Sequence, residues 1–549
     1  MLFAALISCS SRKANTNLNS TKYNKVLMYR NLDSLNWFHK GIDENDNSER
    51  FFSKWKTPNI KELKSKEIIV AIIDSPLDTN HDLIKDKIWI NRGEIPNNDQ
   101  DDDKNGYVDD VNGWNFIGTK DSGYLVFSNF EFVRILKEWG DLETNQFLKK
   151  ELSNEKEFIR ALEKFKEQRF YYENWLKSLV YSVKTYPAAK DSLRHYFPDE
   201  NYTYQQLDSM YKKYKINDKT FRQRREDLDV DLGAMIGFMK ARLDFGEHSL
   251  EDVVASKQEV DSILSKCLNL KFNERLLIAD KSRKFDKGYG NNRLSTNIQG
   301  RTTTYNHSTK VSGIIAMMVS SNVKIMPLVI AANGDEHDQD IALAIRYAVD
   351  NGAKIINISF GKEFALNNDL VSTAIKYAAD NDVLLVHGAG NDQFNVDENP
   401  YYPTDIDYNA NAIEICNNFI NVGATTSKAD STLVASFSNY GKNNVDLFAP
   451  GDQIYTSLGG NSYGYDSGTS FAAPMVSGAA ALIWSYYPKL SAKEIKEIIL
   501  ESGTAYDIEV LIPGGEGKKA KFSELSKSGK VLNVYNAMQL AEKVSKKKR

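Results

Sequence analysis

The sequence contains little of what marks the specialised protein classes. Three of its 549 residues are cysteines and 12 are prolines, which excludes a disulfide-rich scaffold and a collagen-like or proline-rich chain. Its 70 basic and 74 acidic residues leave a net charge of −4, so the composition gives no attraction for nucleic acid or for an acidic membrane surface. No stretch is long and apolar enough to predict a membrane-spanning helix. These absences leave a globular chain with room for one or two hydrophobic cores.

The first 22 residues, 1–22, have the layout of a signal and tether. An apolar run, MLFAALIS, comes before Cys9, and a polar stretch, SSRKANTNLNS, comes after it. This layout resembles a bacterial lipoprotein signal, in which the cysteine is lipidated after cleavage. The resemblance implies an exported protein at the cell surface or in the periplasm, held to the membrane by lipid alone. The alternative is an accidental apolar start in which Cys9 is a free or buried thiol.

From Lys66 onward the sequence alternates between strand-like and helix-like segments. Five apolar runs lack the alternation of half-buried strands, which predicts a parallel sheet covered on both faces. These runs are residues 67–74, 324–330, 354–360, 383–390 and 419–425. Helical spacing over 340–352 and 369–381 predicts two covering helices, with Gly352 and Asn381 at their C-terminal ends, where a positive φ is common. The prediction is an α/β fold with a mostly parallel sheet flanked by helices.

The segment 119–299 differs from the rest, because it is rich in Lys, Glu and Tyr and has little glycine. We predict a helical insertion in a main domain formed by residues 66–118 and 300–540. Its aromatic stripe is predicted to form the core of a small helical subdomain, with a substrate or partner groove as the alternative. The stripe consists of Phe158, Phe165, Phe170 and Trp175. Residues 23–65 are predicted to be an N-terminal extension and residues 541–549 a solvated basic tail.

Three short segments contain residue types that cooperate in nucleophilic catalysis. Asp74 ends the apolar run IIVAIID, His307 lies in NHSTKVSGIIA, and Ser470 lies in SGTSFAAPMVSG. Each alone has an ordinary explanation, as a strand-end carboxylate, a structural histidine or a helix-capping serine. Together, in the chain order Asp, His, Ser, the segments resemble the motifs of the subtilisin-like serine proteases, the subtilases.

The resemblance implies a subtilisin-like, three-layer fold and a serine endopeptidase. Ser470 would be the nucleophile, His307 the general base and acid, and Asp74 the carboxylate that orients the histidine. Asn391, in the segment GAGN, matches the asparagine of the oxyanion hole in this family. Catalysis would require no cofactor, and the expected partner is a polypeptide substrate bound by a monomeric protein.

The resemblance also implies how an extended substrate would bind. Ser359, Phe360 and Gly361 match the strand edge that pairs with the substrate backbone in this family. Ala389 and Gly390 match the lining of the pocket for the side chain before the scissile bond. These five residues are therefore the predicted substrate-binding residues.

Two positions depart from the motifs of the family. Pro76 and Ser308 stand where the family has glycines. Proline fixes φ and removes an N–H, and the serine adds a side chain close to His307. An alternative function therefore stays open, that of a catalytically inactive relative that binds peptide or a protein partner through the same cleft.

An acidic segment, NDQDDDKNGYVDDVNGWNF, offers the oxygen ligands that calcium prefers. Asp101, Asp103, Asn105 and Asp109 follow the first positions of a calcium-binding loop. Asn112 stands at the twelfth position, where an EF-hand has a glutamate, and this argues against an EF-hand. A structural calcium site of another kind and a solvated acidic loop are both left open.

Overall fold

The computed structural model describes residues 65–121, 123–141, 146–148, 152–278, 287–295, 306–319, 322–410 and 412–548. Cys9, the predicted signal and tether, and nearly all of the predicted N-terminal extension lie outside these residues. The described residues form two compact units, one that runs up to Val126 and resumes at Glu274, and one of Phe127–Asn273. The second unit is narrower than the predicted insertion, because Leu125, Ile278 and Tyr289 pack in a core of the first unit.

The first unit is built around one nine-stranded sheet. In chain order its strands, with those of three small two-stranded sheets, are β1 (Ile68–Asp74), β2 (Trp114–Asn115), β3 (Val323–Val329), β4 (Ile355–Ile358), β5 (Leu384–Gly388), β6 (Ile406–Asp407), β7 (Ile413–Glu414), β8 (Phe419–Thr425), β9 (Leu447–Pro450), β10 (Ile454–Leu458), β11 (Ser462–Asp466), β12 (Thr504–Ala505), β13 (Glu509–Leu511), β14 (Lys519–Lys521) and β15 (Lys530–Val531). The order in the large sheet is β12-β15-β9-β8-β5-β4-β1-β3-β2. All neighbours in it pair in parallel except β12 and β15. The mostly parallel sheet predicted from the five apolar runs is therefore confirmed.

Helices cover both faces of this sheet. The helices of the two units are, in chain order, α1 (Glu131–Trp139), α2 (Leu152–Arg194), α3 (Tyr204–Tyr214), α4 (Phe221–Asp227), α5 (Leu232–Asp244), α6 (Leu250–Ser262), α7 (His307–Met318), α8 (Asp338–Asp350), α9 (Asn368–Asp380), α10 (Thr469–Tyr486), α11 (Ala492–Ser502) and α12 (Val534–Lys546). Side chains alternate along β1, so that Val70 and Ile72 share a core with α7, α10, α11 and α12, whereas Ala71 and Ile73 share one with α8 and α9. The predicted three-layer architecture is confirmed. Among the described helices, none has the length and apolar character needed to cross a bilayer.

Helix ends match the sequence prediction in one case and differ by one residue in another. Gly352, just after α8, has a φ of 80°. Asn381, just after α9, has a φ of −100°, and the positive φ of 57° belongs to Asp382. Aspartate tolerates this conformation because its short side chain forms local hydrogen bonds. The predicted basic tail also begins inside a helix, since α12 continues to Lys546.

The second unit consists of the helices α1 to α6. On the long helix α2, Phe158 and Phe165 are buried, as predicted for the aromatic stripe, and Trp175 is half-buried. Phe170 is 69% exposed, so its assignment to the core is wrong. Five residues along a helix rotate the side chain by about 140° from the position of Phe165, which turns Phe170 away from the core.

The parallel strands bring the candidate catalytic segments to one edge of the large sheet. Asp74 is the last residue of β1, Ser359 follows β4, and Asn391 lies three residues after β5. His307 begins α7 and Ser470 is the second residue of α10. The carboxyl ends of the strands and the first turns of two helices therefore form the candidate site, as expected for an open α/β sheet.

Candidate active site

Asp74 and His307 are 233 residues apart in the sequence and are hydrogen-bonded in the structure. His307 Nδ1 lies 2.8 Å from Asp74 Oδ2 and 2.9 Å from Oδ1. Asp74 is 2% exposed, whereas 26% of the histidine side chain is accessible. Because a carboxylate can only accept, the proton of the neutral imidazole belongs on Nδ1, and Nε2 keeps its lone pair. The arrangement gives His307 the tautomer of a general base.

Ser470 lies in the same cleft and is half-buried. Its hydroxyl donates a 2.7 Å hydrogen bond to the backbone oxygen of Ser359, and the Ser359 hydroxyl donates one of 2.9 Å to the backbone oxygen of Ser470. The first turn of α10 is thus in direct contact with the residue that follows β4. Its backbone N–H belongs to the first turn of α10, where N–H groups have no partner within the helix.

Asn391 is held with its amide in one orientation. Its Oδ1 accepts from the backbone N–H of Thr469 at 2.9 Å and from the Thr469 hydroxyl at 3.0 Å. The Nδ2 group is the donor end of the amide, and Asn391 lines the cleft. The residue before Asn391, Gly390, has a φ of 105°, which glycine adopts without strain. A Cβ added to Gly390 would lie 2.3 Å from Asn439 Nδ2.

The cleft has a volume of about 300 Å³. Three charged residues that sequence reasoning missed line it beside the predicted residues: Lys310, Glu336 and Asp466. Lys310 could have been found, because it lies one turn after His307 on α7 and shares its face. The ammonium of Lys310 lies 2.5 Å from Asp466 Oδ2, and both side chains are more than 90% buried. Burial raises the pKa of Glu336 to about 8, with a further contribution from the charge of Asp335.

The predicted substrate-binding residues occupy different positions around this cleft. Ser359 and Phe360 line it. The oxygen of Gly361 accepts a 3.1 Å hydrogen bond from the Tyr401 hydroxyl. Ala389 is fully buried, and the N–H of Gly390 donates to the Thr469 hydroxyl at 3.1 Å. Among the residues that line the cleft, only the first two of the five predicted are found.

The buried His387 contacts the backbone of Phe360, one of the predicted substrate-binding residues. His387 is 1% exposed, and its ring nitrogens lie 2.8 Å from the backbone oxygen of Phe360 and 3.0 Å from Asn421 Oδ1. Burial lowers the pKa of His387 to about 4. The ring is therefore neutral at pH 7 and has a single N–H. With this proton on Nε2, the ring donates to the Phe360 oxygen and fixes that carbonyl, and the lone pair of Nδ1 faces the Asn421 amide.

The two residues that depart from the family motifs point into the protein. Pro76 is buried. Ser308 is 1% exposed, and its backbone N–H donates to the Ser75 hydroxyl at 3.1 Å. The Ser308 side chain does not line the cleft, so it does not crowd the imidazole from the side on which a substrate would bind.

The acidic loop brings Glu94 to two of the predicted calcium ligands. Carboxylate oxygens of Glu94, Asp101 and Asp103 lie within 4.8 Å of one another. Glu94 is 7% exposed, its Oε1 accepts from the N–H groups of residues 102 and 103, and its Oε2 is buried without a hydrogen-bond partner. Asp109 instead accepts from two backbone N–H groups of the loop. The Nδ2 group of Asn105, a donor, faces Asp110 at 2.8 Å.

A family comparison covers most of this site. The model of the subtilase family matches residues 183–528, which is more than half of the chain. This range contains His307, Asn391 and Ser470, and Asp74 precedes it.

Three proteases are similar to parts of the chain. The cell wall-associated protease of Bacillus subtilis (strain 168) is 34% identical over 42% of this chain and 25% of its own length. The thermophilic serine proteinase of Bacillus sp. (strain AK1) is 36% identical over 33% of this chain and 43% of its own length. Subtilisin DY of Bacillus licheniformis is 32% identical over 36% of this chain and 70% of its own length. The chain thus spans a quarter of the first relative and less than half of the second.

Proposed function

Since the chain belongs to the subtilase family, we propose that it is a serine endopeptidase that hydrolyses polypeptides, with Ser470 as the nucleophile. The hydrogen bond between His307 and Asp74, at the cleft that contains Ser470, is the observation that carries this proposal. The names of the three relatives support it, because each is a protease or a subtilisin.

In the proposed reaction His307 Nε2 accepts the proton of the Ser470 hydroxyl as the oxygen attacks the scissile carbonyl. The imidazolium that forms is stabilised by the carboxylate of Asp74 and then donates its proton to the leaving amine. Water repeats the sequence on the acyl-enzyme and releases the second product. The buried carboxylate of Asp74 supports this role, because the low exposure strengthens its interaction with the imidazolium.

Two donors would stabilise the negative charge that develops on the carbonyl oxygen. One is Asn391 Nδ2, whose orientation follows from the two hydrogen bonds that its Oδ1 accepts. The other is the backbone N–H of Ser470, in the first turn of α10, where the helix dipole also favours a negative charge. Donors held in place before the reaction cost no reorganisation when the charge appears.

Substrate binding would also free the nucleophile. The Ser470 hydroxyl donates to the oxygen of Ser359, and a substrate N–H paired with this strand edge requires the same acceptor. We propose that the substrate takes this acceptor and that the hydroxyl then rotates about χ1 to His307 Nε2. The serine is thereby directed to the histidine when a peptide is in place.

Labelling with a fluorophosphonate probe tests the proposed activity. The parent protein is expected to be labelled and to digest casein, and Ser470→Ala is expected to do neither. Ser467→Ala is the matched control, since this serine lines the same cleft three residues earlier and should leave labelling intact. Absence of labelling in a folded parent would contradict the proposal and would favour an inactive binding protein.

We also propose that the acidic loop holds a structural calcium ion through Glu94, Asp101 and Asp103. The unpartnered, buried Oε2 of Glu94 supports the proposal, because a cation would satisfy this oxygen. Calcium is expected to raise the thermal midpoint of unfolding of the parent, and Glu94→Gln should remove most of that increase. An equal increase in both proteins would count against this site.

We propose further that the protein is exported and that Cys9 carries its lipid. The similarity to a protease named as cell wall-associated supports export, and the signal-like layout around the cysteine supports lipidation. Radioactive palmitate should enter the parent and not Cys9→Ser. An unlabelled parent recovered in the soluble fraction would contradict the proposal.

A further inference from the structure

Helix α2 of the second unit has two opposite faces with different patterns. Its buried side chains recur at the three- and four-residue steps of one helix face, or at their sum of seven: Phe158, Ala161, Phe165, Tyr172, Leu179, Ser182, Tyr186, Ala189 and Leu193. A second line with the same spacing lies on the opposite side of the helix. We call it the α2 ridge, and it consists of Ile159, Glu163, Lys166, Phe170, Glu173, Lys177 and Val180.

The α2 ridge exposes three large apolar side chains to water. Phe170 is 69% exposed, Val180 50% and Ile159 49%. A single exposed apolar residue is common on protein surfaces. Here one lies at the centre of the ridge and one at each end, over about 30 Å of a single continuous helix. Spaced about 15 Å apart, they form no continuous apolar patch, and they mark the line that a partner helix would cover.

The charges between these residues are self-complementary. Glu163 lies seven residues before Phe170 and Lys177 seven residues after it. Lys166 and Glu173 likewise lie four residues before and three after. The ridge therefore reads the same in both directions, except that each charge is replaced by its opposite. A second copy in the reverse direction would meet opposite charges at these positions and apolar side chains at the centre and ends.

We propose that two copies of the chain associate through their α2 ridges in antiparallel orientation. The contact is isologous, with Phe170 on the two-fold axis against Phe170 of the second copy. Glu163 faces Lys177 of the second copy, and Lys166 faces its Glu173. This proposal differs from the monomer expected from the sequence.

The pattern also selects the orientation. In a parallel pair Glu163 would face Glu163 of the second copy, and Lys177 would face its Lys177. Like charges in contact across an interface repel. Within the described residues Glu163, Lys166 and Lys177 form no ion pair inside the chain, and Glu173 is paired with Arg169 at 2.9 Å on an exposed surface. The ridge is narrow, so we expect reversible association rather than an obligate dimer.

Sedimentation velocity of the full-length Ser470→Ala protein, which cannot digest itself, tests the proposal. We expect a concentration-dependent dimer. Phe170→Asp should give a monomer, and Glu163→Lys should raise the dissociation constant by about tenfold or more. Adding Lys177→Glu to Glu163→Lys should restore the dimer, because the charges again match across the axis. Circular dichroism shows whether each variant is folded.

Matched controls distinguish association through the α2 ridge from nonspecific association through exposed apolar residues. Ile216 is 73% exposed elsewhere in the same unit, and Ile216→Asp should leave the dimer intact. Phe170→Cys should form a disulfide-linked dimer on mild oxidation, since the residue faces itself, whereas Ile216→Cys should not. A parent that stays monomeric up to about 100 μM, or a dimer that survives Phe170→Asp, would overturn the proposal.

Discussion

Asn391 shows how a single amide is prepared for one role. Both hydrogen bonds to its Oδ1 come from Thr469, the residue next to the proposed nucleophile. The same neighbour accepts from the N–H of Gly390 at 3.1 Å. Thr469 therefore links the turn after β5 to the first turn of α10, and the donor end of the amide is left for the substrate.

Replacing Asn391 with leucine is expected to reduce kcat by roughly 100- to 1000-fold and to change KM little, because the donor acts on charge that exists only in the transition state. Steady-state hydrolysis of a peptide amide measures both constants. Asn395→Leu, four residues later in a part-exposed position, is the control and should keep kcat. A loss confined to KM would show that the amide binds the ground state instead.

His387 is expected to make stability fall in acid. Its pKa is about 4 in the folded protein and about 6.5 in an unfolded chain. Between these values the unfolded chain binds a proton that the folded chain does not, so stability decreases as the pH falls from 6.5 to 4, by about 3 kcal/mol in total. Urea unfolding at pH 7.0 and 4.5 should show a smaller difference between the two pH values for His387→Gln than for the parent. His195→Gln, at an exposed position, should leave that difference unchanged.

Among single residues, the sequence motifs predicted the hydrogen-bonded pair of Asp74 and His307 and missed the charged residues that line the cleft beside it. Asp74 and His307 were predicted because motif order and residue type specify them, and they are hydrogen-bonded. Glu336 and Asp466 line the same cleft. They could not be predicted, because the positions of their segments depend on tertiary packing. Phe170 was misplaced because a count of aromatic residues does not reveal their rotation around a helix.

Helix α7 is fixed against the hairpin β10–β11 by close contacts. The hydroxyls of Thr456 and Ser457 donate to the backbone oxygens of Lys310 and Thr309, each at 2.7 Å. Gly313 permits this approach, since a Cβ there would lie 2.0 Å from Ser457 Oγ. The ion pair between Lys310 and Asp466 joins the same two elements. The helix that begins with His307 is thereby held to the hairpin that leads to Ser470.

Lys310→Met is expected to destabilise the protein by about 3 to 5 kcal/mol, because it leaves the carboxylate of Asp466 buried without its counter-charge. It should also lower kcat/KM, since the hairpin and α7 position the cleft from both sides. The double variant Lys310→Met/Asp466→Asn should recover most of the stability. Denaturant unfolding measures the change, with the exposed Lys85→Met as a control within about 0.5 kcal/mol of the parent. Equal losses in the single and double variants would mean that the charge is not the cause.

At the scale of elements, the strands of the large sheet were predictable because they are buried on both faces and therefore consist of continuous apolar runs. The two-residue strands β2, β12 and β15 and the four-residue strand β9 were not, since so short a segment has little or no periodicity to detect. The end of α9 was placed one residue early, because Asn381 and Asp382 both tolerate a positive φ and only the packing decides between them.

The chain passes from the first unit to the second after Val126 and returns to the first unit at Glu274. The oxygen of Val126 accepts from the backbone N–H of Asn333 at 3.0 Å, and Glu274 Oε1 lies 2.8 Å from His337 Nε2. Asn333 and His337 are four residues apart in the same segment. The two connections are therefore held by neighbouring parts of the first unit. The sequence revealed the helical character of residues 119–299, but not that their first and last parts pack in the first unit.

Replacing Phe127–Asn273 with a Gly/Ser linker of about ten residues is expected to leave a first unit that folds and is labelled by a fluorophosphonate at Ser470. The expectation follows because the two hydrophobic cores that pack on the large sheet contain no residue of the replaced segment. Labelling of the shortened protein, with Ser470→Ala in the same background as a control, measures it. An insoluble or unlabelled product would show that the first unit depends on the second.

Because Asp74 and His307 are 233 residues apart, the parts of the candidate site are synthesised at different times. A ribosome releases β1 first, then the whole second unit, and only afterwards β3 and β4, the strands that pair with β1 on either side. Contacts within the second unit are local in sequence, so we expect that unit to fold before β3 and β4 are available to pair with the strand that ends at Asp74. At ordinary rates of synthesis Ser470 follows Asp74 by roughly 20 to 80 seconds. During this interval the nascent chain contains no complete set of Asp, His and Ser, so the proposed activity requires synthesis to reach Ser470.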